Sequence, residues 1–306
     1  MEYLESVKNH RVPLGLVAIS LVVVLAAALG LFLLINCKFF VQCKAPENIN
    51  INAAVIKKNE TIAKLTAQII KKHLDGLLVL GSAYSEKKEV IQYIQQGKWQ
   101  NAMNIIANAF KEDSLEAVDR IALFDVTGTT QANTPEQSQL IGQNFAYKDW
   151  YQGVMADFKP YVSEVYVRAT EPPANVIGMA FPIKNNNDTP IAILLFTIKT
   201  DSFLKWLNEL RFGENGTTFI VDKRGRIVAH PDIAPQGEIV DFSSRTDVQK
   251  VISGQSGTEI VLNGNKKRIL SSYEPIPGYH GGVITKIKLG EIIKAGFGKE
   301  IQGGGK

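Results

Sequence analysis

Phe124-Asp125-Val126-Thr127-Gly128, running on to Ala132-Asn133, returns about a hundred residues later as Val221-Asp222-Lys223-Arg224-Gly225, running on to Ala229-His230 with the same internal spacing. In each copy an apolar strand (Ile121 to Phe124; Thr218 to Val221) meets Asp-x-x-Gly. The Asp of such a turn can accept hydrogen bonds from the backbone ahead of it, and the Gly can take positive φ. A second strand follows, so each copy predicts a β-hairpin. A hairpin repeated at this interval predicts two related modules in one chain, not a single mixed domain or a short-period solenoid.

The second copy lies in a longer phrase, Asn215-Gly216-Thr217-Thr218-Phe219-Ile220-Val221-Asp222-Lys223-Arg224-Gly225-Arg226-Ile227-Val228-Ala229-His230-Pro231-Asp232. The phrase resembles the junction signature of double-Cache sensor domains, the extracytoplasmic ligand-binding regions of chemoreceptors and sensor kinases. The resemblance runs from about Pro46 to about Ala295. It implies an α+β fold of two tandem PAS-like modules, each with an antiparallel sheet. The membrane-distal module would occupy 113–210 and the membrane-proximal one 211–295, with a flexible tail at 296–306.

Composition fits an anchor plus two small domains: 306 residues, 45% hydrophobic, formal charge +4. No dense Lys/Arg patch with interleaved aromatics occurs, so nucleic acid is not an expected partner. Leu14 to Ile35 is a run of 22 residues without a charge, about 33 Å as a helix and enough to cross a bilayer core. It exceeds a signal-peptide core and lacks an Ala-x-Ala site after it, and Asn36 stands where a lipoprotein would place a small residue before Cys37. The expectation is a membrane helix over 13–36 preceded by a cytoplasmic segment, 1–12. Lys8 and Arg11 before the helix balance Lys38 and Lys44 after it, so the basic-residue rule barely discriminates orientation. An inner-membrane, single-pass placement with the sensor region in the periplasm follows from the resemblance. Cys37 and Cys43, the only cysteines, read equally as a disulfide or as two free thiols.

Between 46 and 112, Ile49, Val55, Ile56, Ile62, Leu65, Ile69, Ile70, Leu74, Leu77 and Leu78 recur at threes and fours, which predicts a long stalk helix with one buried face. Two readings stand together: a helix packed on its own domain, and one that also pairs with a second subunit as a homodimer. Further on, helices are predicted at Lys148 to Phe158, Ser202 to Leu210 and near Asp247 to Ser253. Strands are predicted at Val162 to Val167, Val176 to Pro182, Ile191 to Ile198, Gly257 to Leu262, Lys267 to Glu274 and Gly282 to Ile287. Antiparallel strands with helices to one side make an α+β architecture, twice over.

No enzymatic constellation competes. His-Glu-x-x-His, a Walker loop, Gly-x-Gly-x-x-Gly and Gly-x-Ser-x-Gly are all missing from the sequence, and the four histidines are scattered singly, so neither a cofactor nor a metal site is expected. His230 reads as structural within its hairpin, and Asp125 and Asp222 as turn caps.

The resemblance also implies a ligand pocket in the first module. In amino-acid-binding members a basic residue two before a Trp/Tyr pair clamps the ligand carboxylate, and Lys148, Trp150 and Tyr151 match, with Lys in place of the more usual Arg. Tyr166 falls where a pocket aromatic is usual. The ammonium half departs from the family: Thr197 stands where an Asp is expected, and Arg168 where some members have another. Lys148 and Arg168 would repel an α-ammonium and suit a small organic anion, a mono- or dicarboxylate, better than an amino acid. The structural reading of Trp150 and Tyr151 is core packing of an amphipathic helix.

After Ile287 the chain resembles the approach to a second membrane helix and then ends at Lys306 without an output region. That fits a fragment of a longer transducer, a truncated gene, or a single-pass sensor acting through a downstream partner. The function expected is a membrane-anchored sensor for chemotaxis or signal transduction. The alternative is a structural or spacer protein with a vestigial pocket.

Overall fold

Residues 49–112, 116–208, 216–234, 237–294, 296 and 298–300 are described by the computed structural model. In chain order they form β1 (Ile49–Ile51), α1 (Ala53–Ser85), α2 (Lys88–Gln95), α3 (Trp99–Glu112), β2 (Val118–Asp125), β3 (Thr130–Thr134), α4 (Asp149–Asp157), β4 (Tyr161–Val167), β5 (Asn175–Lys184), β6 (Pro190–Lys199) and α5 (Thr200–Asn208). They continue as β7 (Gly216–Val221), β8 (Ile227–Ala229), α6 (Thr246–Ile252), β9 (Gly257–Leu262), β10 (Arg268–Pro275), β11 (Gly282–Lys288), α7 (Leu289–Lys294) and β12 (Gly298–Glu300). β1 and β12 pair as a two-stranded ribbon, so residues 298–300 form a strand where the sequence predicts a flexible tail.

The remaining strands make two five-stranded sheets of order β3-β2-β6-β5-β4 and β8-β7-β11-β10-β9. Every neighbour is antiparallel. The two orders are the same path taken twice, and the chain is therefore α+β with a duplicated module. In both copies the repeated turn works as its residues dictate. Asp125 Oδ1 accepts from the amides of Thr127 and Thr129 at 2.9 and 3.0 Å, and Asp222 Oδ1 from those of Arg224 and Arg226 at 2.9 and 3.0 Å. Gly128 and Gly225 sit at φ +84° and +80°, a conformation that costs glycine nothing.

α1 opens with Asn52, whose side chain accepts from the Ala54 amide at 2.8 Å, an N-cap satisfying one of the orphan donors. At 33 residues it is about 50 Å long, and its apolar face packs on both sheets, reaching β5 and β6 in the first and β10 and β11 in the second. Ile70, Leu74 and Leu77 are buried in that seam. Asn59, fully buried, donates to Ser272 Oγ at 2.8 Å and to the Thr285 carbonyl at 3.1 Å, fixing the helix against the second sheet.

The predicted stalk helix does not continue to 112. It ends at Ser85, and α2 ends in a Schellman motif: Gly97 at φ +71°, with the Lys98 amide on the Tyr93 carbonyl at 2.8 Å and the Gly97 amide on Ile94 at 2.9 Å. Gly is the residue this cap favours, and apolar spacing alone passed over it. Among the described residues no helix is long and apolar enough to cross a membrane. The segment expected to do so, 13–36, lies outside them, as do 1–12, Cys37 and Cys43.

Candidate functional site

Between the β2–β3 hairpin, α4 and the β4–β6 strands of the first module lies a cavity of about 80 Å³. Its apolar wall is Phe124, Leu140, Phe145, Trp150 and Leu195, and its polar groups include Thr130, Asn133, Gln137, Tyr166, Thr170 and Thr197. Three basic side chains, Arg120, Lys148 and Arg168, stand among the described lining residues, and no carboxylate does.

Each cation has a different status. Lys148, at the N-cap of α4, carries its Nζ over the Tyr166 ring at 5.0 Å and the Tyr147 ring at 5.3 Å. It forms no ion pair among the described residues, and burial lowers its pKa, because a charge taken out of water without a partner is disfavoured. Arg120 is paired with Asp119, Nε to Oδ2 at 3.4 Å, and its Nη1 would take the Gln137 amide oxygen at 2.8 Å with that amide turned to satisfy both partners. Burial lowers the Arg120 pKa too. Arg168 forms an ion pair with Asp119 and donates from Nε and Nη2 to the Pro172 carbonyl at 2.9 and 2.5 Å. Arg168, expected beside Lys148 as a second cation for the ligand, does line the cavity but is committed to Asp119. That carboxylate is also shared with Arg120 at 3.4 Å and Lys199 at 2.9 Å, so the surroundings stay cationic.

The aromatic residues divide likewise. Trp150, 2% exposed, lines the cavity and packs on Phe124 with ring centroids 4.6 Å apart. Tyr166 forms the facing wall, its phenol pKa raised by burial against the hydrogen bond to Thr197. Tyr151 is not among the lining residues. One step further around the helix, it donates instead to the Val126 carbonyl at 2.8 Å and serves to hold the hairpin. Sequence reasoning missed Arg120, Asn133, Gln137 and Thr170. Arg120 was recoverable, since Arg120, Ala122 and Phe124 alternate onto one face of β2.

The residue between Lys148 and Trp150 connects the cavity wall to the second module. Asp149 accepts from the Glu164 amide at 2.9 Å, from Tyr161 Oη at 3.1 Å and from Lys223 Nζ at 3.0 Å. Lys223 belongs to the β7–β8 turn, and burial of its ammonium is outweighed by the bonds to Tyr161 and Asp149, which raise its pKa. In the same seam Glu164 meets Arg224 Nε at 2.6 Å and Arg226 Nη2 at 2.8 Å. Asp222 Oδ2 accepts from the Val165 amide at 3.1 Å.

In the second module His230, 4% exposed, has its pKa lowered to about 4 by burial and by Lys286. Protonation then favours the unfolded chain, so this contribution is fully present above pH 6.5 and is lost as pH falls toward 4. About 2 kcal/mol of stability should disappear between pH 7 and pH 5. Denaturant titrations across that window should show the slope in the wild type and lose it in His230→Asn.

Two α+β modules of the same strand order, one holding a cavity with basic lining and joined to the other through charged turns, make a tandem domain with a candidate binding pocket. The chain belongs to the Cache domain family, whose double-Cache model (dCache_1) matches residues 48–294, and it is a Cache-type sensory ligand-binding domain. The methyl-accepting chemotaxis protein PscA of Pseudomonas syringae pv. tomato is 24% identical over 159 residues, which are 52% of this chain and 24% of that receptor. Among solved structures, the periplasmic sensory domain of the Campylobacter jejuni chemoreceptor Tlp1 is similar at TM-score 0.63 and 12% identity, covering 79% of this chain and 97% of that one. The ligand-binding domain of the Pseudomonas aeruginosa PAO1 chemoreceptor PctB, solved with L-Arg, gives TM-score 0.58 and 17% identity over 76% and 94%. That of Pseudomonas fluorescens CtaA with L-isoleucine gives 0.59 and 16% over 77% and 93%. At these identities the likeness concerns the fold.

Proposed function

We infer that this chain is the extracytoplasmic sensor region of a membrane-anchored transducer, held by residues 13–36, and that its first module binds a small carboxylate. The observation carrying this reading is the lining itself, three basic groups without a carboxylate among the described residues. PctB and CtaA were solved with amino acids, whose ammonium needs an anionic or strongly polar acceptor. Here Thr197 offers only a hydroxyl, and Asp119, which pairs with Arg168 behind the lining, is shared by three cations. An ammonium placed there would meet hydroxyl and amide oxygens and three cations, but no carboxylate among the described lining residues to offset its desolvation. A cavity of about 80 Å³ has room for a handful of waters, which matches a short mono- or dicarboxylate.

Closure of the pocket on the ligand would draw on α4, and Asp149 on that helix holds Lys223 of the second module. A ligand shifts such a two-state arrangement only by its differential affinity for the two states, and the ion-paired seam gives it something to shift. The output and the downstream partner lie beyond these modules.

A second reading, a rigid spacer with a vestigial pocket, is favoured by the depth at which Trp150 is buried. A thermal-shift panel on the full chain in detergent separates the two, using short carboxylates, amino acids, amines and purines. A ligand at 100 times its dissociation constant adds about 2.7 kcal/mol, or roughly 5 to 10 °C at this size. Carboxylates are expected to give that shift. A shift with amino acids alone would overturn the anion reading, and silence across the panel would favour the spacer.

A further inference from the structure

The duplication extends past the hairpins. Asp125 and Asp222 are 97 residues apart, and the same offset relates Asn133 to His230, Phe145 to Phe242 and Lys148 to Arg245. The backbone repeats with it. Phe145 N donates to Gly128 O at 2.8 Å and Phe242 N to Gly225 O at 3.0 Å, while Lys148 N and Arg245 N donate to the Phe145 and Phe242 carbonyls at 2.9 and 3.0 Å. Across the sheets, Arg120 pairs in register with Thr197 and its repeat equivalent Thr217 with Lys286. The second module therefore places Arg245 and Lys286 where the first has Lys148 and Thr197.

These two line an open cleft of about 740 Å³ beside Phe242, Asp247 and the turn at Asn263–Asn265. Arg245 is held by Asp247, Nε to Oδ1 at 3.0 Å and Nη2 to Oδ2 at 2.5 Å. Lys286 forms no ion pair among the described residues. Its Nζ lies 5.1 Å from the Phe219 ring centroid and 3.3 Å from His230 Nε2. His230 Nδ1 already accepts from the Asp232 amide at 3.0 Å, so in the neutral ring the proton is on Nε2 and points at the ammonium. A donor facing a donor leaves Lys286 without an acceptor, which a native site rarely tolerates. Glu259, also in the cleft, is taken by Lys250 at 2.5 Å.

We propose that the second module carries its own anion site, in which a small carboxylate-bearing solute accepts from Lys286 and lies against Arg245 and Phe242. The site is separate from the pocket at Lys148 and does not depend on the reading given to that pocket. Arg245, Asp232, Asp247 and Lys288 act on Lys286 electrostatically, His230 faces it, and Asp241 also lines the cleft; burial with Arg245 nearby lowers the lysine pKa. An ammonium that has an aromatic face beside it but no carboxylate partner among the described residues is placed to take an anion.

The test uses succinate and acetate as probes on the full chain, in Lys148→Ala so that the first pocket is silenced. The expected result is a rise in melting temperature with succinate that persists in Lys148→Ala and is lost in Lys148→Ala/Lys286→Met, with succinate affinity by calorimetry at least about tenfold weaker. Without succinate, Lys286→Met should melt no lower than its parent, because an uncompensated cation has been replaced by an apolar chain. Lys286→Arg should retain part of the response. A succinate shift unchanged by Lys286→Met would overturn the site, as would the absence of any probe response in folded Lys148→Ala. If instead wild type and Lys148→Ala respond equally and Lys286→Met abolishes both responses, this site stands and the first-pocket assignment fails.

Discussion

Asp222→Ala should lower the melting temperature by roughly 10 °C, whereas Asp125→Ala, at the same position of the other hairpin, should lower it by only a few degrees. Both aspartates close the same turn. Asp125 serves only its own hairpin, accepting from Thr127 and Thr129 amides through Oδ1 and from Gln131 Nε2 at 2.8 Å through Oδ2. Asp222, 6% exposed, adds Arg226 Nε at 3.0 Å and the Val165 amide of the first module at 3.1 Å. Removing it leaves Arg226 with Glu164 as its remaining carboxylate and the Val165 donor unpaired. Loss of one partner from a buried ionic network costs about 3 to 5 kcal/mol, against about 1 kcal/mol for a turn cap. Asp222→Asn, keeping one acceptor oxygen, should fall between the two. Calorimetric scans of the three variants measure the difference. Equal drops for the two alanine variants would show that the seam between modules contributes nothing to stability.

The same comparison shows what could be read from sequence and what could not. The hairpin turns, the strands and the helix at Trp150 follow from local rules: Asp-x-x-Gly, alternation of period two, and apolar spacing of three and four. Observed strand limits lie within three residues of those expected from pattern alone, the widest gap being the start of β2 at Val118. Gly97 also had a local signal, a glycine just past an amphipathic run, but sustained periodicity concealed it. Asp119 had none. The β2–β6 register shifts between Val118 and Arg120, so Asp119 sits in a bulge, and bulges re-aim side chains independently of alternation. The ion pair that commits Arg168 therefore left no mark in the sequence pattern. Glu164 has the same explanation: the β4–β5 register shifts between Val162 and Val165, placing Glu164 toward the second module's turn. Both of the contacts that sequence could not foresee arise where a sheet breaks its own period.

Lys148 is the residue on which the anion reading depends most. Lys148→Ala should weaken carboxylate binding by about 30- to 150-fold, the effect of deleting one member of a desolvated charge pair at about 2 to 3 kcal/mol. Its ammonium has aromatic faces around it and no carboxylate partner among the described residues, so an incoming anion would be its first full counter-charge. Binding should raise the lysine pKa and take up a fraction of a proton at alkaline pH, and affinity should fall as pH rises through the lowered pKa of the free site. Lys148→Arg keeps the charge and should retain most of the affinity; Lys148→Gln, which keeps only a polar end, should resemble alanine. Arg168→Ala is a poorer probe, because it also leaves Asp119 with one fewer cation and changes the field in the opposite sense. Calorimetry at two pH values separates these cases. If Lys148→Gln bound carboxylates as the wild type does, the anion would have to sit on Arg120, whose Nε already faces Asp119 at 3.4 Å, and the cation that the fold leaves unpaired beside Trp150 would need another explanation.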